Sequence, residues 1–347
     1  MKMLTKLLWS SGPLLIAVLA NAAVPDLSGT FNVATLTPLQ RPVEFGDNLY
    51  LSREEAEQIT EAEAQTIAAR SATSDPDREA PPEGGDGSAG AAGNVGGYNT
   101  FWIDRGDDTF AVNGKFRTSI ITEPANGRRP GLVPAAQQKS AARSASFRRP
   151  NSGTAWWLDQ TGPGPYDNME QRPLPERCIL GFGPVAGPPI VPTLYNNVKR
   201  IVQTADHVMI LAEMVHDARI VRMNKAHRPE NIRTWLGDSI GHWQGDTLIV
   251  DTTNFNDSPA LRGASRDLHV IERFTRVDAK TVHYSFTVSD PNVWQDSWSG
   301  EYPWPQTDDK VFEYACHEGN YALGNIMRGA RILEQDIEGS AASGGEE

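Results

Sequence analysis

The second half of the chain consists of short segments in which apolar and polar residues alternate. Leu268, Val270 and Phe274 lie an even number of positions apart within one such segment. A period of two is typical of β-strands with one buried face, and Asp, Asn, Pro and Gly between the segments are typical of turns. The pattern predicts strands at residues 198–204, 208–213, 219–223, 247–253, 268–276, 281–288 and 311–316, and shorter strands near 25–31, 98–103 and 116–122.

Two other segments have helical patterns. Ser52 and Glu55 form a capping box before an Ala- and Glu-rich stretch, which predicts a surface helix at residues 52–72. Leu323, Ile326 and Leu333 recur on one face of a second predicted helix at residues 320–335. Because no helix interrupts the late strands, the order of elements favours a mainly β fold, an antiparallel β-barrel or sandwich (lipocalin-like) with a few peripheral helices.

The first 22 residues have the features of a secretory signal peptide. Lys2 and Lys6 precede an apolar run at residues 7–19, and Ala20 and Ala22 meet the small-residue requirement of the cleavage site. The run is shorter than the about 20 residues of a spanning helix, and an uncleaved anchor is the alternative. We predict one β-rich domain at residues 23–338, disordered insertions near 73–97 and 124–152, and a disordered tail at 339–347.

The charge of the chain limits its partners. A formal net charge of −12 disfavours nucleic acid and anionic lipid, since both bind through Lys and Arg. The basic stretch at residues 128–149 has no aromatic side chain between its arginines except Phe147, and we interpret it as a solvated loop. No segment after the leader is apolar enough to span a bilayer, so we expect no stable membrane insertion. These features predict a periplasmic or secreted protein whose partner is a small molecule.

Cys178 and Cys316 are the two cysteines of the chain. Export to an oxidising compartment favours a single disulfide between them. Two separate buried thiols are the alternative. The disulfide would bring Arg177 next to His317 and Glu318, and so place a cation, an imidazole and a carboxylate together.

Glu213, His216 and Asp217 follow one of the predicted strands. If that strand continues through Glu213, the two carboxylates lie on one face and His216 on the other, unless a bulge intervenes. A carboxylate and an imidazole at a strand end can supply a general base and its orienting partner. His317 and Glu318 form a second such pair. Surface salt bridges and a structural histidine are the alternative for each pair.

Glu272 has the same strand parity as Val270 and Phe274, so it points into the predicted barrel. A buried carboxylate is costly unless it is paired, which makes Glu272 a third catalytic candidate. The alternative is a structural ion pair with Arg200 or Arg219.

Two sequence motifs and the spacing of the histidines are weaker indications of function. Gly237–Gly241 matches G-x-S-x-G around Ser239, but the residues after it predict a hairpin where a nucleophile elbow needs a helix. Gly181–Gly187 contains Pro184, which excludes the helix that a dinucleotide-binding turn must open. The histidines lack metal-site spacing, so we predict no cofactor; if a metal binds, Glu213, His216 and His317 are its expected ligands.

Several phrases of the sequence together resemble a family of exported bacterial hypothetical proteins. They are Arg177-Cys178-Ile179, Tyr195-Asn196-Asn197, Trp235-Leu236-Gly237-Asp238-Ser239, residues 245–255 and residues 314–321. The resemblance covers most of the chain after the leader. It implies export and a single architecture, and it implies no reaction.

These observations lead to one functional hypothesis and one alternative. We predict an exported enzyme that uses cofactor-free acid–base chemistry, as a lyase, isomerase or hydrolase, on a small neutral or cationic organic molecule or on a sugar-like one. The alternative is a lipocalin-like carrier that binds a hydrophobic ligand without catalysis. The tryptophans fit an apolar or sugar-like ligand, or they belong to the core. The predicted catalytic residues are His317, Glu318, Glu213, His216, Asp217 and Glu272, and the predicted substrate-binding residues are Arg177, Tyr195, Asn197 and Trp235.

Overall fold

The computed structural model describes residues 24–71, 77, 103–147 and 153–343. The predicted signal peptide, the predicted strand near 98–103 apart from its last residue, and nearly all of the insertion at 73–97 lie outside these ranges. Within the described residues, none of the helices combines the length and the apolarity needed to cross a membrane.

The described chain is mostly β, and most of its strands form one large sheet. The strands of this sheet are β1 (Gly29–Asn32), β5 (Ile121–Glu123), β6 (Val198–Gln203), β7 (His207–Ala212), β8 (Ala218–Met223), β9 (Asp238–Gln244), β10 (Thr247–Thr253), β11 (His269–Arg276), β12 (Thr281–Ser289) and β13 (Trp298–Pro305). Their spatial order is β1-β6-β7-β8-β9-β10-β11-β12-β13-β5. All neighbours are antiparallel except β8 and β9, which are parallel.

The ten-stranded sheet curls into a half-barrel. Its first strand, β1, approaches β13 near the other end of the order, where Phe31 forms an antiparallel bridge with Gln306. The Thr307 amide donates to the Thr30 carbonyl at 2.9 Å beside this bridge. The predicted mainly β class with few helices is therefore confirmed.

Aromatic side chains fill the concave side of the sheet. Phe274, Tyr284 and Trp304 come from three adjacent strands and are fully buried, with ring centroids 4.9–5.5 Å apart. Alternation along each strand sends these residues inward and their neighbours outward. Trp298 and Trp294 are buried in the same core. The tryptophans of β13 are thus core residues, one of the two roles considered for them.

Residues 178–197 close one end of the half-barrel. The Ile190 amide donates to the Tyr284 hydroxyl at 2.9 Å, and the Tyr302 hydroxyl donates to the Ile190 carbonyl at 3.0 Å. Two tyrosines from inside the barrel therefore hold this segment through its backbone. Because its polar groups are bonded, the segment can be buried against the aromatic core.

Three α-helices and a small second sheet lie around the half-barrel in the described part of the chain. The small sheet is formed by β2 (Tyr50–Leu51), β3 (Ala111–Val112) and β4 (Lys115–Arg117). Helix α1 (Arg53–Ser71) begins at the predicted capping box, in which the Ser52 amide donates to the Glu55 carboxylate at 2.7 Å. Helix α3 (Tyr321–Ser343) packs its Ala330 and Leu333 on Trp157 and Tyr166.

The structure differs from the sequence-based prediction in four places. Residues 311–316 do not form a strand, because no other strand lies beside them in the described structure. They are held instead by the Glu213 side chain in the β7–β8 turn and by the disulfide of Cys316. Strand β13 is absent from the prediction, since its Pro303 and Pro305 lack the amide donor that a ladder uses. Helix α2 (Pro134–Phe147) lies in the stretch predicted as disordered, and α3 extends past residue 338 to Ser343.

Candidate functional site

The turn between β7 and β8 has an unusual backbone conformation. Val215 and His216 lie in the left-handed region, with φ of 58° and 44°. This region is unfavourable for a β-branched residue such as valine, and such strain is concentrated at functional sites. Glu213 and Asp217 lie on either side of a single 3₁₀ turn (Met214–His216). The strand therefore does not continue through these residues, and the bulge considered as the alternative in the sequence is closer to the structure.

Lys199 of β6 points to the same place from the concave face. Its neighbours across the sheet are Phe31 and Ala212, and its side chain is fully buried. The ammonium nitrogen donates one described hydrogen bond, to the Asn196 carbonyl at 3.2 Å. An ammonium group has three N–H donors, so this lysine has fewer partners than its charged form requires.

Three carboxylates lie close enough to Lys199 to interact with its charge, and we call Asp104, Lys199, Glu213 and Asp217 the mouth cluster. Burial lowers the pKa of Lys199 from 10.5 to about 7, although the charges of Glu213, Asp104 and Asp217 oppose the change. Burial also raises the pKa of Asp217 from 3.8 to about 6, against the Gly181 amide and the positive charges of His216 and Lys199. A base and an acid are thereby shifted in opposite directions until both titrate near neutral pH.

Asn197 ties the loop before β6 to the segment that contains Asp104. Its amide nitrogen donates to the Asp104 carbonyl at 2.7 Å and to the Thr193 carbonyl at 2.9 Å. Its amide oxygen accepts from the Thr193 amide at 2.8 Å. Asn197 is buried, so these bonds position the mouth cluster from behind.

Two segments cover the turn between β7 and β8. From the first, the Gly181 amide approaches an Asp217 carboxylate oxygen at 3.4 Å, and the Phe182 amide donates to the Met214 sulfur at 3.2 Å. From the second, the Phe312 amide donates to the Glu213 carboxylate at 2.9 Å. Both segments therefore meet at the mouth cluster.

A disulfide joins these two segments. Cys178 and Cys316 are bonded, with their Cα atoms 5.7 Å apart, as the sequence predicts. The residues after Cys316 consequently lie at the same end of the half-barrel as Glu213 and Asp217. His317 and Glu318 are exposed. Arg177 is half-buried, and its guanidinium donates to the Glu170 carbonyl at 3.4 Å.

Glu272 lies in the buried core of the half-barrel. Both of its oxygens accept from the Arg219 guanidinium, and the Tyr284 hydroxyl donates to one of them at 2.8 Å. Glu272 and Arg219 are almost completely buried. The structure thus gives Glu272 the structural partner considered for it, Arg219, whereas Arg200 bonds to Thr30.

Trp235 belongs to a different part of the surface. It lies in the crossover between β8 and β9, next to Thr234, whose amide donates to the Asn254 carbonyl at 3.1 Å. This crossover also carries His227, which lies 3.0 Å from Asp238 and 3.3 Å from Asp251. The structure therefore associates Trp235 with a polar network on the outer face of the sheet and not with the mouth cluster.

His269 completes that outer network. Its Nε2 lies 2.9 Å from an Asp251 carboxylate oxygen, and this hydrogen bond raises the pKa of His269. Burial favours the neutral form of Asp251, but its contacts with His269 and His227 outweigh burial and lower its pKa. The network ties the crossover to the sheet.

The remaining motifs have structural roles. The Ser239 hydroxyl is buried and lies 2.8 Å from the Thr252 hydroxyl. Among the described hydrogen bonds, none joins Ser239 to a histidine. Within the described residues, Glu213, His216 and His317 do not form a metal-binding group, and no other three such side chains do.

Lys199 is the residue that sequence reasoning missed. Its position in the strand pattern could have identified it. Lys199 lies on the same inward face of the strand as Ile201, whereas Arg200 and Val202 are exposed on the other face. A lysine at an inward position of a strand is unusual, because lysine is almost never fully buried.

An open cleft lies next to the segment that contains Asp104. It has a volume of about 680 Å³, and its wall includes Arg105, Thr193 and Leu194. The Asp104 amide donates to the Leu194 carbonyl at 2.9 Å, which joins this wall to the mouth cluster.

Comparison of the chain with protein-family models, with curated proteins and with solved structures gave no match. The chemistry of the mouth cluster is therefore the basis for a functional assignment.

Proposed function

We propose that the protein is an exported enzyme that carries out cofactor-free acid–base chemistry on a small organic molecule at the mouth cluster. The observation that supports this most strongly is that a buried lysine of β6, of pKa about 7, interacts with the charge of an aspartate of pKa about 6 that follows a strained turn. Opposite shifts of two neighbouring titratable groups are typical of catalytic acid–base pairs. The disulfide supports an oxidising compartment.

Asp217 is the group that meets the substrate. It is half-buried, whereas Lys199 and Glu213 are buried behind it. The ionised Asp217 carboxylate accepts a proton from a C–H or O–H bond of the substrate. His216, which is exposed beside it, returns a proton to the product or exchanges one with water.

Lys199 is a positioning residue in this mechanism. Its ammonium charge lies near Asp217 and stabilises the carboxylate between proton transfers. When Lys199 loses its proton at higher pH, its charge no longer stabilises the Asp217 carboxylate, and the electrostatic field at the turn changes. The active form therefore has Asp217 ionised and Lys199 protonated.

The rate should follow a bell-shaped pH profile with its maximum between about 6 and about 7, since Asp217 loses its proton above the first value and Lys199 above the second. Turnover would be found by incubating the purified protein with a library of small neutral, cationic and sugar-like molecules and following products by mass spectrometry. Asp217→Asn should lower kcat/KM by about 10²-fold or more. Lys199→Met should remove the alkaline limb of the profile and lower the rate.

Asp246→Asn, in the exposed turn between β9 and β10, is the matched control and should keep native turnover. A flat pH profile, or native activity in Asp217→Asn, would exclude the mechanism. The alternative, a carrier without catalysis, predicts ligand binding that survives in both mouth variants and no product from any member of the library.

A further inference from the structure

Two phenylalanines at the mouth are exposed to an extent that is unusual for their size. Phe182 is 51% exposed and Phe312 is 53% exposed. The Phe182 amide donates to the Met214 sulfur, and the Phe312 amide donates to the Glu213 carboxylate. Both phenylalanines are therefore held at the acidic turn by their backbone. A large apolar side chain held at this position is available to a ligand.

Two tyrosines complete the arrangement. Tyr195 and Tyr314 are half-buried and pack on Val215 and Met214 of the same turn. We call Phe182, Tyr195, Phe312 and Tyr314 the aromatic rim. The rim combines one aromatic residue from the loop before β6, one from each covering segment and a tyrosine near the disulfide. These residues contact the turn that ends beside Asp217.

The charge inside the rim is negative. The mouth cluster contains three carboxylates and one lysine, and the whole chain has a net charge of −12. The faces of aromatic rings also carry negative potential and attract cations. An anionic ligand would be repelled by both features, and a sugar would not use the charge.

We infer that the aromatic rim binds a small organic cation with an apolar substituent, such as a substituted ammonium ion, with its charge toward Asp217 and its apolar part against Phe182 and Phe312. This inference rests on the proposed function in one respect, because it names the substrate class of the same site. The sequence predicts a neutral, cationic or sugar-like substrate, and the inference narrows this range to cations.

The test compares three probes of similar size by titration calorimetry on the intact protein at pH 8 and low salt. Benzyltrimethylammonium should bind, benzyl alcohol should bind at least tenfold more weakly, and benzoate should not bind measurably. Phe182→Ala and Phe312→Ala should each weaken binding of the cation by about fivefold or more, as expected for a lost cation–π contact. Tyr50→Ala is the control, because Tyr50 is a 41% exposed aromatic residue on the small sheet, and it should bind the cation as the native protein does.

Equal binding of the three probes, absence of cation binding, or native affinity in both phenylalanine variants would overturn the inference. Because benzyltrimethylammonium need not react, its binding is independent of turnover. Cation binding without a bell-shaped rate profile would therefore keep the rim and remove the proposed reaction. A bell-shaped profile without cation binding would do the reverse.

Discussion

Replacement of Cys178 and Cys316 by serine is expected to lower the free energy of unfolding by about 5 kcal/mol. The disulfide spans 138 residues of sequence, and in the chain-entropy model a loop of this length restricts the unfolded chain to about that extent. It also connects the two segments that cover the mouth cluster. Chemical denaturation of the double variant and of the native protein, with a matched linear extrapolation, measures the difference.

The position of the loss is as informative as its size. Hydrogen exchange in the double variant should accelerate first at the amides of Gly181, Phe182 and Phe312, whose acceptors lie in the turn between β7 and β8. Amides of β11 and β12 should be affected least, because they lie inside the ladder of the large sheet. A decrease in stability below about 1 kcal/mol, or a uniform acceleration, would show that the bond does not hold the mouth cover.

Glu272→Gln is expected to destabilise the protein by about 3–5 kcal/mol, since it leaves the Arg219 guanidinium buried without its carboxylate. The double variant Arg219→Met with Glu272→Leu removes both charges and should be more stable than Glu272→Gln alone. Such non-additivity is characteristic of a buried ion pair. Denaturation midpoints of the two variants and of the native protein make the comparison.

The same pair of variants separates structure from catalysis. If Glu272 is a structural residue, the double variant should turn over substrate like the native protein once both are corrected for the folded fraction. Loss of activity in the well-folded double variant would show that Glu272 takes part in the reaction. A Glu272→Gln variant as stable as the native protein would contradict the ion-pair account.

Most of the sheet could be predicted from the sequence because alternation is a local property. Val270, Phe274 and Val250 each show their inward parity within a few residues of sequence, and the strands that contain them are where the pattern places them. Strand β13 was missed for an equally local reason, since Pro303 and Pro305 argue against a ladder. Pairing with β12 stabilises it despite the missing amide donors.

The site was only partly accessible to sequence analysis. Glu213 and Asp217 were identified because acidic residues clustered at a strand end, and Cys316 indicated which distant segment reaches them. Lys199 was missed because a lysine in a sequence is normally solvated, and its burial is a property of the folded sheet. The aromatic rim depends on the two covering segments, which lie far apart in sequence and show no period.

The mouth cluster also explains why the turn is strained. Left-handed Val215 and His216 allow Glu213 and Asp217 to face the same space from the two sides of a tight turn. A relaxed two-residue hairpin would not place the two carboxylates in this way. Backbone strain and a buried lysine both decrease stability, and natural proteins tolerate such features mainly where function needs them.

The most direct test of the account is the titration of Lys199 itself. Isotopic labelling of the lysine side chains allows their NMR shifts to be followed with pH, and the Lys199→Met variant identifies the signal that belongs to Lys199. We expect that signal to titrate with a midpoint near 7, well below the ordinary lysine value of about 10.4. A Lys199 midpoint near that ordinary lysine value would contradict the proposed acid–base pair.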